Sequence, residues 1–130
     1  MVYKNIHIAA HIILGLPEEN FDNMLHTIKE LNTLDVDGVK IHHIQVVKHT
    51  LLADWYAEGS VFVFTAEGYI QLLVELLPQL SQKICVHRLV GETKDDLLIA
   101  PRWQISKTQI IQKVEEQLRQ EEKHQGSSVI

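Results

Sequence analysis

The stretch from Ile6 to Gly15 reads IHIAAHIILG and runs directly into Leu16-Pro17-Glu18-Glu19. A short, nearly continuous apolar run that stops at a glycine has the composition of a parallel strand covered on both faces. The residues after it follow a different period. Between Glu18 and Leu34 the apolar side chains Phe21, Met24, Leu25, Ile28, Leu31 and Leu34 fall three and four apart, the stripe of an amphipathic helix. Pro17 with Glu18 and Glu19 suits the first helical turn, where proline forfeits no hydrogen bond and acids face the positive end of the helix dipole. A strand that enters a helix through a glycine is the first half of a β-α-β unit.

The rest of the chain repeats the alternation. Asp35 to Gly38 reads as a turn, and Val39 to Val47 (VKIHHIQVV) as a second strand. Lys48 to Gly59 is a longer connection containing Trp55 and Tyr56. Val61 to Phe64 reads equally as a short strand or an apolar loop. Thr65 is placed to cap a helix carrying Tyr69, Leu72, Leu73, Leu76, Leu77 and Leu80, ended or bent near Pro78. Lys83 to Leu89 is a third strand and Gly91 to Trp103 a loop. Ser106 caps a last helix running to about Lys123, with Ile110, Ile111, Val114 and Leu118 on one face.

The order β-α-β-α-β-α predicts an α/β fold with a parallel sheet and right-handed crossovers. A sheet of so few strands leaves two edges open and needs cover on both faces. The pattern therefore fits part of a TIM-like barrel better than a closed fold. Pairing of two copies through a sheet edge is one physical remedy. Residues 1–124 are expected to form the body, and 125–130 a disordered polar tail.

Composition bounds the function. The chain has 130 residues, 45% of them hydrophobic and 22% charged, which fits one globular domain or a piece of one. Twelve Lys and Arg against seventeen Asp and Glu give a net charge of −5, a poor balance for a nucleic-acid binder. No apolar run approaches the roughly 18 residues of a membrane span. No signal-peptide pattern is visible, since Met1 leads into a strand-like stretch from Tyr3. A cytoplasmic protein with no membrane partner is expected. The single cysteine, Cys85, excludes an internal disulfide and a Cys-rich zinc site. It also excludes an iron–sulfur cluster held by three or four cysteines of this chain. Cys85 lies on a strand and reads as an inert buried thiol.

Ligands of parallel α/β folds sit at the carboxyl ends of strands. Three segments qualify: Gly15 to Glu19, Gln45 to Thr50, and Arg88 to Thr93. A glycine at a strand end admits a ligand close to the backbone, although Gly-Leu-Pro by itself is more often a plain turn. The chain has eight histidines. His11, His42 or His43, and His87 lie on neighbouring strands, so a His-ligated zinc or iron site is conceivable. No H-E-x-x-H pattern accompanies them, and hydrogen-bonded histidines in a polar-lined sheet are the plainer reading. Lys40, His42, Ile44, Val46 and Lys48 share one face of the second strand. Two lysines there fit either a polar lumen or strand ends that snorkel to solvent, and Arg88 poses the same choice. Trp103 reads as packing at a helix entry. The last helix mixes both charge signs and reads as a solvated face. No nucleophile elbow, P-loop or dinucleotide fingerprint occurs.

Several segments in order, HIILGLPEE, GVKIHHIQVVKHTLLADWY, TAEGYIQLLVELLPQL, ICVHRLVGET, LLIAPRW and HQG, resemble the C-terminal half of a radical S-adenosylmethionine (radical SAM) protein. The resemblance is to the bacterial family related to Elongator-type and oxygen-independent coproporphyrinogen III oxidase-like proteins, and spans about Ile6 to Gly126. It implies a G-x-I-x-G-x-x-E pattern near the adenine of S-adenosylmethionine, carried here by Ile13, Gly15 and Glu18. His11 replaces the first glycine, and so lines the lumen or touches substrate. Gln45 and Val46, within Ile44 to Val47, would pass the adenine mainly through backbone. Lys40, His42 and Arg88 become lumen or substrate candidates. The family's [4Fe–4S] cluster needs a C-x-x-x-C-x-x-C loop that this chain lacks. The resemblance thus implies a fragment, inactive alone and binding neither cofactor, whose partner is the missing N-terminal half of the barrel. The parent would cleave S-adenosylmethionine reductively to modify a substrate, with a tRNA wobble uridine favoured and tRNA a partner of the parent only. The alternatives are a non-enzymatic dimeric binding module and a His-ligated metal enzyme.

Overall fold

The middle of the first apolar run forms strand β1, Ala9–Leu14. It lies parallel to β2, Gly38–His43, in a register that runs from Ala9 opposite Gly38 to Leu14 opposite His43. On its other side β2 pairs in parallel with β4, Cys85–Arg88. The sheet order is β1-β2-β4, the parallel α/β arrangement that the alternation of periods predicts. The computed structural model describes residues 5–129. Met1, the Tyr3 end of the strand-like stretch and Ile130 lie outside the described residues.

Helices α1 (Phe21–Thr33), α3 (Ala66–Leu76) and α4 (Lys107–Gln120) supply the apolar cover. Val39 and Ile41 of β2 and Leu14 of β1 point into a core with Met24, Ile28 and Leu31 of α1, Tyr69 and Leu73 of α3, and Ile110 and Val114 of α4. The alternate residues of the sheet face the other way. His11 and Ile13 are exposed there, and Lys40 and His42 half-buried. A parallel sheet is normally covered on both faces; this one is covered on one, as a section of barrel wall would be.

The structure corrects several element boundaries. Helix α1 starts at Phe21, not at Pro17. Asn20 is its N-cap and forms a reciprocal capping box with Asn23, which outcompetes the proline for the helix start. Pro17 belongs to the preceding turn, in which Glu18 takes φ = +67°. The second strand breaks after His43. Val46–Val47 forms a separate strand, β3, antiparallel to β5, Leu98–Ala100, within the segment expected as a loop. Val46 and Lys48 therefore do not continue β2, although Ile44 still lines the same cavity as His42. The connection after Lys48 contains helix α2, Leu51–Ala57, capped by Thr50. Val61 to Phe64 is a loop. Thr65 and Ser106 cap α3 and α4, and Pro78 sits in a 3-10 turn, Leu77–Gln79. Cys85 is exposed rather than buried, because it opens the edge strand β4.

The polar segment after residue 124 lies against the exit of α3. Gln125 Nε2 donates to the carbonyls of Ser81 (2.8 Å) and Ile84 (2.7 Å), and the Ser128 amide donates to Pro78 O at 2.9 Å. No helix among the described residues is long and apolar enough to cross a membrane.

Candidate functional site

Three loops meet at the carboxyl ends of β1 and β2. Gly15 leaves β1 with φ = +88°, a conformation that L side chains rarely adopt. Its backbone is approached by the Phe64 ring rather than by open space. The Gly15 and Leu16 amides donate to Glu19 Oε1 at 3.0 and 3.2 Å. The strand end is thus closed by its own carboxylate.

At the end of β2, His43 points to the core side and is only 4% exposed. Its ring forms a triangle with those of Tyr69 and Trp103, with centroids 5.2 and 4.3 Å away and those two 5.6 Å from each other. His43 Nδ1 accepts from the Gly91 amide at 3.3 Å, which leaves the proton on Nε2 in the neutral ring. Burial, helped by the neighbouring His42, pushes its pKa down to about 4. Gln45 Oε1 accepts from Thr93 Oγ1 at 2.9 Å, tying the β2 exit to the loop after β4. Trp103 Nε1 donates to Phe64 O at 2.9 Å, and the Tyr69 hydroxyl donates to Leu89 O. These contacts fasten the strand ends to α3 and to the entry of α4.

On the uncovered side a cavity of about 380 Å³ opens between the strand ends, lined by His11, Ile13, Leu16, His42, Gln45 and Thr93 among others. The His11 and His42 rings stack, centroids 6.0 Å apart and 12° from parallel. His42 is held below the ordinary imidazole value by burial first, then by the charge of Arg88, and by His11 and Lys40. Lys40 and Arg88 sit one row deeper, opposite each other in the register.

The structure therefore gathers four of the expected site residues, His11, Ile13, His42 and Gln45, around one cavity. Gly15 and Glu18 line a separate cleft of about 190 Å³ with Pro17 and Phe62. The Val46 side chain is fully buried, so that residue offers only backbone. The three-histidine arrangement does not form. His87 Nε2 meets His7 Nε2 at 3.2 Å, beside Gly38 at the other end of the sheet. Among the described residues no group of three or more His, Cys, Asp or Glu could hold a metal ion. Sequence reasoning missed His43 as an anchor, and missed Glu19 and Thr93 as the residues that close the loops. The alternation of His42 and His43 was the available signal, since one of an adjacent pair must turn to the core.

A family model described as the Radical_SAM C-terminal domain matches residues 36–120. The uncharacterized protein YtqA of Bacillus subtilis is 32% identical over 121 residues, which cover 93% of this chain and 38% of YtqA. The uncharacterized protein MJ0486 of Methanocaldococcus jannaschii is 32% identical over 125 residues, covering 95% of this chain and 39% of its own length. The chain thus spans about two fifths of these curated relatives. The solved structure of archaeal Elp3 from Methanocaldococcus infernus superposes with a TM-score of 0.78 at 15% identity, over 92% of this chain and 28% of that one. That likeness is one of fold.

Proposed function

Because the chain belongs to the radical SAM C-terminal domain family, we propose that it supplies the carboxyl-terminal wall of a radical SAM catalytic unit. The observation that carries this reading is the parallel sheet with helices on one face only, whose other face opens a polar-edged cavity at the strand ends. The rest of the barrel is the proposed partner that covers that face, in the cytoplasm.

The residues of this chain do not fit an iron–sulfur cluster. Its one cysteine, Cys85, pairs with Gly38 at the amino end of the sheet, away from the cavity. They do fit one flank of S-adenosylmethionine. Ile13 offers a 48% exposed apolar side chain at the end of β1, suited to the face of an adenine ring. Gln45, with its oxygen engaged by Thr93, keeps its amide N–H groups to donate. Gly15 and Glu18, in the neighbouring cleft that shares Leu16 with this cavity, and the backbone of Val46 complete the proposed cofactor edge. The Gly15 amide is already held by Glu19, so a ligand contact there displaces that carboxylate. When bound on its cluster, the cofactor supplies a hydrogen-abstracting radical. This chain's part is to shield that chemistry from water with Ile13, Leu16 and Leu52, and to position the substrate through the polar groups below them. A tRNA wobble uridine is the proposed substrate, on the Elongator-type resemblance alone.

The test uses a longer polypeptide in which this chain follows a C-x-x-x-C-x-x-C segment, reconstituted and reduced. It should convert S-adenosylmethionine to 5′-deoxyadenosine, and Ile13→Asp should raise the KM for the cofactor. No product from a fully loaded polypeptide would count against the proposal. A second reading, a dimeric binding module, is favoured by the open edges of β1 and β4. It predicts a concentration-dependent dimer in sedimentation.

A further inference from the structure

The uncovered face carries positive charge that no carboxylate among the described residues neutralises. The register sets His11 of β1 opposite Lys40 of β2, and Lys40 opposite Arg88 of β4. Three side chains thus form one row across strands spaced about 4.8 Å apart. An unbroken register would place His87 opposite Lys40. The irregularity beside Val39 and Lys40 brings Arg88 there instead, the kind of re-aiming that β-bulges perform. His42 stands two residues above Lys40 on the same face, stacked on His11. Lys40 and Arg88 are half-buried. Among the described residues no carboxylate lies within 4.0 Å of either one. The consequence is felt locally, because both charges act against protonation of His42.

This happens in a chain of net charge −5, where acidic partners for surface cations are plentiful. Two adjacent, partly desolvated cations with no counter-charge among the described residues are unfavourable until an anion joins them. A carboxylate would balance one of the two. A phosphate monoester carries nearly two negative charges at neutral pH and balances both. The guanidinium fork also matches phosphate geometry, and the ammonium adds a compact point charge. The cavity above the row is lined largely by Ile13, Leu16, Ile44, Val47 and Leu52, so it suits an apolar or planar body.

We propose that Lys40 and Arg88, flanked by His11 and His42, form the binding site for a dianionic organic phosphate whose apolar or planar part fills the cavity above. The proposal rests on the reading of this face as a lumen and adds the charge and shape of what enters it.

The test uses the 130-residue chain with phenyl phosphate, inorganic phosphate and benzyl alcohol as probes. Binding is followed by calorimetry and by the imidazole resonances of His11 and His42. Phenyl phosphate should shift both rings and bind about tenfold more tightly than inorganic phosphate, from burial of the ring. Lys40→Gln and Arg88→Gln should each weaken it about tenfold or more, while Lys113→Gln on α4 should not. Circular dichroism confirms that each variant is folded, and either lumen variant alone is enough to decide the outcome. Absence of shifts at His11 and His42, equal weakening by Lys113→Gln, or equal binding of benzyl alcohol would overturn the proposal. Equal affinity for the two phosphates would also overturn it, by assigning the row to the free ion. None of these readouts involves S-adenosylmethionine, so the phosphate site and the radical SAM reading can fail separately.

Discussion

Replacing Gly15 by alanine should destabilise the fold by about 3 kcal/mol, and the structure separates that cost into two parts. The first is conformational. At φ = +88° an L residue loses roughly 1–2 kcal/mol relative to glycine. The second is steric. The added Cβ would lie 2.5 and 2.7 Å from Phe64 Cε2 and Cζ, and 3.3 Å from Ile44 Cγ2. Phe64 has little room to retreat, since its ring packs against Tyr69 and its carbonyl holds the Trp103 indole. Overpacking of this kind costs roughly 1–3 kcal/mol. For a chain of this length 1 kcal/mol corresponds to about 4 °C in Tm, so the variant should melt about 10 °C below the parent. Thermal and urea denaturation followed by circular dichroism measure it. Adding Phe64→Leu should return the steric part and leave the conformational part, a coupling of about 1–2 kcal/mol. A Gly15→Ala Tm within about 2 °C of the parent, or no coupling to Phe64, would refute the reasoning.

Further outcomes follow from the same contacts. His43 has a folded pKa of about 4 against an ordinary 6.5. Between those values the unfolded chain takes up a proton that the folded chain refuses, so stability falls as pH drops from 6.5 to about 4, by at most about 3 kcal/mol. His43→Phe should flatten that slope in urea titrations across the range. Asn20→Ala removes the α1 capping box and should cost about 1 kcal/mol by the same assay. Trp103→Phe keeps the packing on His43 but orphans Phe64 O, and should cost roughly 1–3 kcal/mol. Trp103→Leu would add loss of ring contact, so a Phe variant no better than Leu would contradict that division.

Much of the fold is written locally. The α1 and α3 stripes, the Thr65 and Ser106 caps and the parallel order of three strands are all short-range patterns, and the structure has each of them. What the pattern could not convey is competition between nearby signals. Pro17-Glu18-Glu19 carries helix-start residues, yet the Asn20–Asn23 box forms a better start three residues on. The run Val39 to Val47 looks like one strand, because hydrophobicity does not mark where a partner ends. Only the return of Leu98–Ala100 against Val46–Val47 reveals the break. The site divides in the same way. Alternation along each strand is enough to place His11, Lys40 and His42 on one face. Arg88 joins them through a register irregularity that alternation does not foresee. His43, Glu19 and Thr93 act through contacts made only when loops distant in sequence meet.

The central claim is that this chain forms the wall of a radical SAM unit and completes it. The direct measurement is 5′-deoxyadenosine formation under reducing conditions from three samples: the longer polypeptide with its C-x-x-x-C-x-x-C segment, the same polypeptide lacking this chain, and this chain alone. The account predicts product from the first only. Undiminished product from the polypeptide lacking this chain, or product from this chain alone, would contradict it.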